Sequence, residues 1–198
     1  KMLIIKQSFE VQFREKYADM VAHIEMAGRT AYKSEGRMTG KLEDGERFIE
    51  NLIKRGHLSV LEHGNITARL ITDRGVTHEL VRHRIGVAYT QESTRYCNYG
   101  NSEGGVTFIL PVWFEGINKD NVRERDVMTQ GRWATWYLGC EHSEEDYLRF
   151  LQVGTPQEAR AMLNNSTKTD IGVTANVREW RHIFGLRCAK TAHPQMQA

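Results

Sequence analysis

One stretch decides how this sequence is interpreted: Arg82-His83-Arg84, then a short spacer, then Gln91-Glu92-Ser93-Thr94-Arg95-Tyr96. Cations this close repel one another unless an anion lies among them, and arginine binds phosphate through two parallel hydrogen bonds. The stretch therefore predicts a site for a phosphate or for a flavin, whose N1–C2=O edge becomes negative on reduction. The alternative is that the triplet only complements the dipole at a helix C-terminus.

The residues on either side alternate between helical and extended patterns, which predicts an α+β fold in one domain over residues 1–198. Gly86 is expected to end a helix before the chain becomes extended. Strands are expected at residues 2–5, 65–72, 106–110 and 166–174, with an extended run at 87–99. Helices are expected at 15–32, 44–56 (capped by Asp44), 76–84, 123–151, 157–163 and 176–192.

Composition and charge limit the function classes. The chain has 198 residues and a formal net charge of +2, whereas a dedicated nucleic-acid binder has a far larger basic excess. Its three cysteines are scattered without a CxxC pair, so a reducing cytoplasm is the expected location. No apolar run approaches the ~20 residues of a membrane span. We expect Met2 to be the natural start, with no secretory signal.

Three further clusters carry similar groups. Residues 56–63 read Gly-His-Leu-Ser-Val-Leu-Glu-His, in which the histidine spacing is a weak zinc pattern. Residues 176–182 place Arg178 and His182 four positions apart on one helix face, where ordinary surface pairs are the alternative. Residues 157–160 open another helix with a glutamate and an arginine.

These motifs resemble those of the flavin-dependent thymidylate synthases. The family has Arg-His-Arg followed by Ser-x-Arg-Tyr, a Gly-His-x-Ser-x-Leu-Glu-His segment, and Asn-x-Arg followed by Leu-Arg and His-Pro-Gln. All occur here in the family's order, and the segment 29–34 and Arg160 match two further family segments. The resemblance therefore covers about Arg29 to Met196, which is most of the chain.

The resemblance implies a fold, a reaction and partners. The fold would be α+β, with a mixed or antiparallel twisted sheet flanked by helices. The enzyme would methylate dUMP to dTMP, with 5,10-methylenetetrahydrofolate as carbon donor, FAD as bound cofactor and NADPH as reductant. It would be a homotetramer with active sites between subunits, with no metal, no membrane and no nucleic-acid polymer as partner.

The resemblance also implies residue roles. A flavin would contact His63, Arg82, His83, Arg84, Gln91, Asn176, Arg178 and His182. The nucleotide would contact Glu79, Arg82, Gln91, Ser93, Thr94, Arg95, Arg160 and Arg187, with Arg95 and Arg160 on its phosphate. Arg82, Ser93 and Arg187 would act at the reacting base. Ser93 is expected to bind rather than attack, because no neighbouring base can activate it.

Two departures from the family pattern change expectations. Residues 85–90 carry one extra residue, and a slip of one would reverse side-chain directions in an extended segment. We therefore expect a β-bulge to restore the facing of Ser93 and Arg95. Glu79 stands where many members have glutamine; ionised glutamate only accepts hydrogen bonds. We expect Glu79 to pair with Arg82 on the same helix.

Two other function classes fit parts of the sequence. A nucleic-acid-binding module would use the arginines on phosphates and stack bases on tyrosines; its residues would be Arg82, Arg84, Arg95, Arg187, Tyr89, Tyr96 and Tyr99. A metal-dependent hydrolase would use His57, Glu62, His63 and His83. Binding that weakens steeply with salt would favour the first, and inhibition by a chelator the second.

Overall fold

The computed structural model describes residues 2–197, so Lys1, which precedes the expected start, lies outside the described residues. The strands are β1 (Leu3–Ile5), β2 (Ser8–Arg14), β3 (Asn65–Asp73), β4 (Val87–Gln91), β5 (Thr107–Ile109) and β6 (Lys168–Asn176). The α-helices are α1 (Tyr17–Thr30), α2 (Leu42–Lys54), α3 (Arg74–Leu80), α4 (Val127–Leu151), α5 (Pro156–Ala159), α6 (Val177–Arg187) and α7 (Pro194–Gln197). None of the helices within residues 2–197 is both long and apolar enough to cross a membrane.

The central element is a four-stranded antiparallel sheet in the order β2-β3-β6-β4. Alternate residues of β6 are buried, because one face of the sheet packs against α3 and α6. Ile171 and Val173 on this face pack with Leu80 of α3 and with Trp180 and Ile183 of α6. The two helices that carry the site are thus fixed to one sheet by a shared core.

The opposite face of this sheet is open. Thr67 and Thr174 lie side by side on it, their hydroxyl oxygens 2.9 Å apart. Every residue of the edge strand β2 is exposed, including Phe9 at 74% and Phe13 at 63%. An edge strand that exposes large apolar side chains is unusual on a free surface, because such strands pair or aggregate unless covered.

Two other cores hold the flanking elements. A two-stranded parallel sheet, β1-β5, packs under the long helix α4, with Phe108 and Tyr147 fully buried between them. Helices α1 and α2 pack around Met20, Ile24 and Leu61, next to the start of β3. The α+β class is therefore confirmed, with one antiparallel and one parallel sheet.

Most elements with a strong period were predicted correctly. Helices α1 and α4 and strands β1, β3, β5 and β6 lie within a few residues of their expected bounds. Helix α2 begins earlier than expected, so Asp44 is not its cap; the carboxylate instead accepts from the Thr39 hydroxyl at 2.7 Å. Helix α5 is one turn that continues as a 3₁₀ turn, Arg160–Met162. Helix α6 ends at Arg187, well before residue 192.

Strand β2 was missed altogether. Its sequence, Ser-Phe-Glu-Val-Gln-Phe-Arg, alternates apolar and polar residues as a half-buried strand does. That alternation could have predicted the strand from the sequence.

The segment between α3 and β4 differs most from the expectation. Helix α3 ends at Leu80, so Arg82, His83 and Arg84 follow the helix rather than forming its last turn. Strand β4 pairs with β6 in unbroken register, so the expected bulge at 85–90 is wrong. The reversal into β4 is made at Gly86, whose φ is +69°. The extended run also stops at Gln91, because residues 94–96 form a turn.

Gly86 is required for two reasons, and this gives a prediction. Its left-handed φ favours glycine, and a Cβ there would lie 2.7 Å from Nδ2 of Asn176. We expect Gly86→Ala to lower the free energy of unfolding by about 1–3 kcal/mol. Chemical denaturation measures this.

The matched control is Gly139→Ala in the middle of α4, where a Cβ meets nothing within 4 Å. This variant should gain about 0.5–1 kcal/mol, because alanine loses less entropy in a helix. Equal stabilities for the two variants would contradict the role given to Gly86.

Candidate active site

A partly buried cluster of charged and polar side chains joins the end of α3 to α6. We call Glu79, His83, Glu179, His182 and Arg187 the arginine–histidine cluster. Arg187 donates from Nη1 to Glu79 Oε2 at 2.8 Å, and from Nη2 to the Glu79 carbonyl oxygen, also at 2.8 Å. Its Nε donates to His83 Nε2 at 3.0 Å. Glu79 therefore pairs with Arg187, and the expected pair with Arg82 on the same helix is wrong.

These contacts fix the proton on His83. A guanidinium can only donate, so Nε2 must be the acceptor and the ring proton lies on Nδ1. Nδ1 lies 3.3 Å from Glu179 Oε1, and the His182 ring packs edge-on at 5.6 Å. Burial, and then Arg187, lower the pKa of His83, against the opposing effect of Glu179. His83 is therefore neutral at neutral pH, with one defined tautomer.

The same geometry argues against a metal at this place. His83, Glu179 and His182 have ligand atoms within 4.8 Å of one another. A metal on Nδ1 of His83 would need the proton on Nε2, where the Arg187 N–H already points.

The metal-dependent hydrolase would also need His57 and His63 next to His83, but both lie in other parts of the structure. His57 faces Tyr32, and His63 packs on His23 at 5.9 Å. Glu62 pairs with Arg178. Within residues 2–197 the four candidate ligands of that hydrolase do not form a group.

The second group of predicted residues forms a tight turn. In this serine turn (residues 93–96, between β4 and the next 3₁₀ turn), the Ser93 carbonyl accepts from the amides of Tyr96 and Cys97. The Ser93 hydroxyl accepts from the Arg95 amide at 3.3 Å. Arg95 extends away and donates to Gln157 of α5 at 2.8 Å. The turn therefore brings Arg95 to the short helix that precedes the exposed Arg160.

A polar network anchors the residue before this turn. Arg74 donates to the Glu92 carbonyl oxygen at 3.0 Å, and Lys168 reaches the Glu92 carboxylate at 3.1 Å. Lys168 also lies 2.5 Å from Asp170, which pairs with Arg69. Burial alone would lower the pKa of Lys168, but the two carboxylates outweigh burial and raise it. The Glu92 side chain is thus committed to structure and is not a base for Ser93.

Gln91 is turned toward the interior. It lies on the helix-covered face of the sheet, and its amide donates to Thr77 at 3.1 Å and Thr169 at 3.2 Å. Both threonines are buried. These contacts connect β4 to α3 and β6. The predicted contact of Gln91 with flavin or nucleotide stays a prediction.

The third group lines a cavity of about 390 Å³ between the ends of α1 and α2 and the start of α6. Its lining includes Tyr32, His57, Ser59 and Arg178. Arg178 pairs with Glu62 at 2.5 Å, and the Tyr32 hydroxyl lies 3.4 Å from His57 Nδ1. A guanidinium beside aromatic and hydroxyl groups suits a phosphate-bearing aromatic ligand.

Asn176 connects this cavity's helix to the arginine-rich segment. Its Oδ1 caps α6 by accepting from the Glu179 amide at 2.9 Å. Its Nδ2 faces Gly86 across the sheet end. The other predicted residues are less constrained: Thr94 is partly exposed, and His63, Arg82, Arg84, Arg160 and His182 are exposed.

Sequence reasoning missed five residues of these networks: Arg69, Arg74, Lys168, Asp170 and Glu179. Lys168 and Asp170 alternate on one strand, which is a signal for a polar sheet face. Glu179 lies in the segment 176–182, and only surface pairs were considered for it; its partner His83 lies 96 positions earlier, and no local spacing indicates it.

Most of the tyrosines that a nucleic-acid-binding module would stack on bases are not accessible. Tyr89 is directed into the core, where its hydroxyl donates to the Leu80 carbonyl at 2.8 Å. Tyr99 is 8% exposed and packs on Tyr147. Of the three tyrosines only Tyr96 is exposed, and Arg187 is engaged by Glu79.

Comparison with known proteins identifies the class. Residues 15–198 match the sequence model of the thymidylate synthase complementing protein family, so the chain belongs to that family. A relative in Mycobacterium tuberculosis, named flavin-dependent thymidylate synthase, is 30% identical over 185 residues, which are 89% of this chain and 70% of that protein. Relatives with the same name occur in Geobacter sulfurreducens, 33% identical over 91% of this chain and 74% of theirs, and in Pyrococcus horikoshii, 37% identical over 75% and 57%.

The anchor of the serine turn gives a prediction. Lys168→Met removes the cation shared by Glu92 and Asp170 while keeping the stem of the side chain. We expect a loss of about 1–2 kcal/mol in the free energy of unfolding, because the Glu92 carboxylate then lacks its cation and Asp170 keeps only Arg69. Lys54→Met is the control, since Lys54 is an exposed i,i+4 partner of Glu50. The prediction fails if both variants unfold at the same denaturant concentration.

Proposed function

We propose that this chain is a methyltransferase that makes dTMP from dUMP, as a flavin-dependent thymidylate synthase. The carbon donor is 5,10-methylenetetrahydrofolate, the cofactor is FAD, and NADPH is the reductant. The observation that carries this conclusion is the family match over residues 15–198, together with relatives that share one activity name.

The donor set of the chain fits FAD in part. The cavity beside Arg178, at about 390 Å³, is near the lower end of ligand pockets, roughly 300–1,000 Å³. Its guanidinium suits one phosphate-bearing portion of a dinucleotide rather than the whole cofactor. We assign Arg178, Asn176, His182 and His63 to the flavin, with Arg82, Arg84, His83 and Gln91 from the segment that precedes the serine turn. When bound, FAD supplies the hydride chemistry.

The chain's own residues stabilise charge on the pyrimidine. Uracil C5 is a poor nucleophile, and addition at C6 gives O4 enolate character, so fixed donors near O2 and O4 favour the reaction. Arg187 has five N–H groups, of which three are held by Glu79 and His83. The remaining two are preoriented at little cost in side-chain entropy. We assign them, with Arg82 and the serine turn around Ser93 and Thr94, to the base.

The nucleotide phosphate is assigned to the exposed guanidinium groups of Arg95 and Arg160. Arg95 is held toward α5 by Gln157, and Arg160 begins the 3₁₀ turn that follows α5. Two arginines near one short helix give the paired donors that a phosphate monoester binds well.

A homotetramer with shared active sites is consistent with two surfaces. The open sheet face and the exposed edge strand β2 need a cover. The cavity beside Arg178 holds only part of a dinucleotide, so a second copy of the chain would complete the site. Cys97, Cys140 and Cys188 are all free, which suits the reducing cytoplasm as the place of action.

The spectrum and turnover of the purified protein test the function. We expect a flavin absorbance band that bleaches with NADPH when dUMP is present, and dTMP formation that requires methylenetetrahydrofolate. A colourless protein that neither binds added FAD nor forms dTMP would contradict the proposal.

The phosphate assignment has its own test. Arg160→Ala should weaken dUMP binding about tenfold or more, since a charge-assisted bond to phosphate is lost. Binding of deoxyuridine, which lacks the phosphate, should stay unchanged. Arg149→Ala, an exposed arginine on α4, is the control. Equal losses for dUMP and deoxyuridine in Arg160→Ala would show that Arg160 does not bind the phosphate.

A further inference from the structure

Glu179 lies in the first turn of α6, and its position there has an ordinary explanation. An acidic residue near a helix N-terminus complements the helix dipole. Its side chain, however, is only 14% exposed, and its Oε1 faces Nδ1 of His83. A carboxylate used only for the dipole would extend into water. The direction of the side chain therefore indicates a second role.

The contacts form one chain of four side chains. Oε1 of Glu179 lies 3.3 Å from Nδ1 of His83, Nε2 of His83 accepts from Arg187, and Arg187 donates twice to Glu79. Each bond fixes the next, because His83 can accept from Arg187 only when its proton is on the side of Glu179. Tyr89, whose hydroxyl bonds the Leu80 carbonyl, packs beside the cluster, and burial raises its pKa to about 12.

We propose that Glu179 is a positioning residue for the nucleotide base: through neutral His83 it holds Arg187 so that the two free N–H groups of the guanidinium face the pyrimidine. The inference rests on the proposed function, because it takes dUMP as the ligand of Arg187. Glu179 itself touches neither substrate nor cofactor. Its effect passes through a tautomer, which a purely structural helix cap would not change.

The surroundings of His83 favour its neutral form, as the positioning of Arg187 requires. Arg187, Glu179 and His182 face the ring from α6, and Glu79 lies on the far side of Arg187 at the end of α3. Burial and Arg187 lower the pKa of His83, and Glu179 raises it. A protonated His83 would present two N–H groups, one of them against Arg187. The neutral ring is therefore the form that positions the guanidinium.

Nitrogen NMR of the flavin-loaded protein, labelled with ¹⁵N-histidine, tests the tautomer directly. His83→Gln identifies the His83 signals by their loss. We expect wild-type His83 to be neutral, with the proton on Nδ1 and a bare Nε2. An Nε2–H tautomer in the wild type would overturn the proposal whatever the variants do.

Two variants test the route to the base. Glu179→Gln keeps an oxygen acceptor, so we expect the Nδ1–H tautomer to persist and dUMP affinity to stay within about twofold. Glu179→Ala removes the acceptor, so we expect mixed tautomers and about tenfold weaker dUMP binding. Asp146→Ala, which removes an exposed acid on α4, is the control and should bind as the wild type does.

The outcomes distinguish failure of the positioning role of Glu179 from failure of the proposed function. If Glu179→Ala keeps both the tautomer and the affinity, or loses affinity with an unchanged tautomer, the positioning role is wrong while the proposed function stands. If the wild type does not bind dUMP at all, the proposed function fails and the inference fails with it. Should Glu179→Ala not fold, the wild-type tautomer and the Glu179→Gln affinity still decide the case.

Discussion

The Arg187 guanidinium is the constraint on which the site depends. It is bound to a carboxylate and a carbonyl of the same residue, Glu79, and to an imidazole. A largely buried guanidinium is stabilised by acceptors that hold it in a fixed geometry, and three of its five N–H groups have one here. The three bonds bring the end of α3 against the end of α6, 108 residues apart in sequence. These bonds also set the orientation of the Arg-His-Arg triplet, because His83 must face Arg187 in the interior while Arg82 and Arg84 on either side remain exposed.

The backbone makes that arrangement possible at Gly86. A side chain there would meet the amide that caps α6, so the start of α6 and the entry to β4 share one tight contact. Asn176 is thus both the cap of the helix that carries Glu179 and Arg187 and the neighbour of the turn that follows His83. The serine turn then begins where β4 ends, held by Arg74 and Lys168. The packing of α3 and α6 on the sheet thus positions the arginine–histidine cluster.

Hydrophobic periodicity in the sequence predicted individual helices and strands, but not the contacts between residues far apart in the chain. Helix α1 and strand β3 follow their hydrophobic periods. Gly86 was expected to end a helix, but α3 already ends at Leu80 and Gly86 makes the turn into β4. The Glu79–Arg82 pair was wrong because spacing suggests only near neighbours, whereas the partner of Glu79 is Arg187, 108 residues later. The bulge was wrong because residues 85–86 form a turn outside the ladder and strand β4 pairs with β6 in unbroken register. Glu179 was missed because its partner His83 is distant in sequence, and the link of Lys168 to Glu92 was missed for the same reason.

The motifs indicate which reaction the protein catalyses. Which residues face the ligands and which face the core depends on how deeply each side chain is buried. His83 and Gln91 belong to the same motif as Arg82 and Arg95, yet the first pair faces the core and the second faces outward. Strand alternation explains this for Gln91, which shares a face with Tyr89 and Val87. The inward residues also set orientation and tautomer, whereas the outward ones are the more accessible to ligands. An arginine bound by inward residues is already ordered when a nucleotide arrives, so binding need not supply that entropy. The exposed guanidinium groups of Arg82, Arg84 and Arg160 lack such support within residues 2–197, so their ordering depends on the anion itself or on a second copy of the chain.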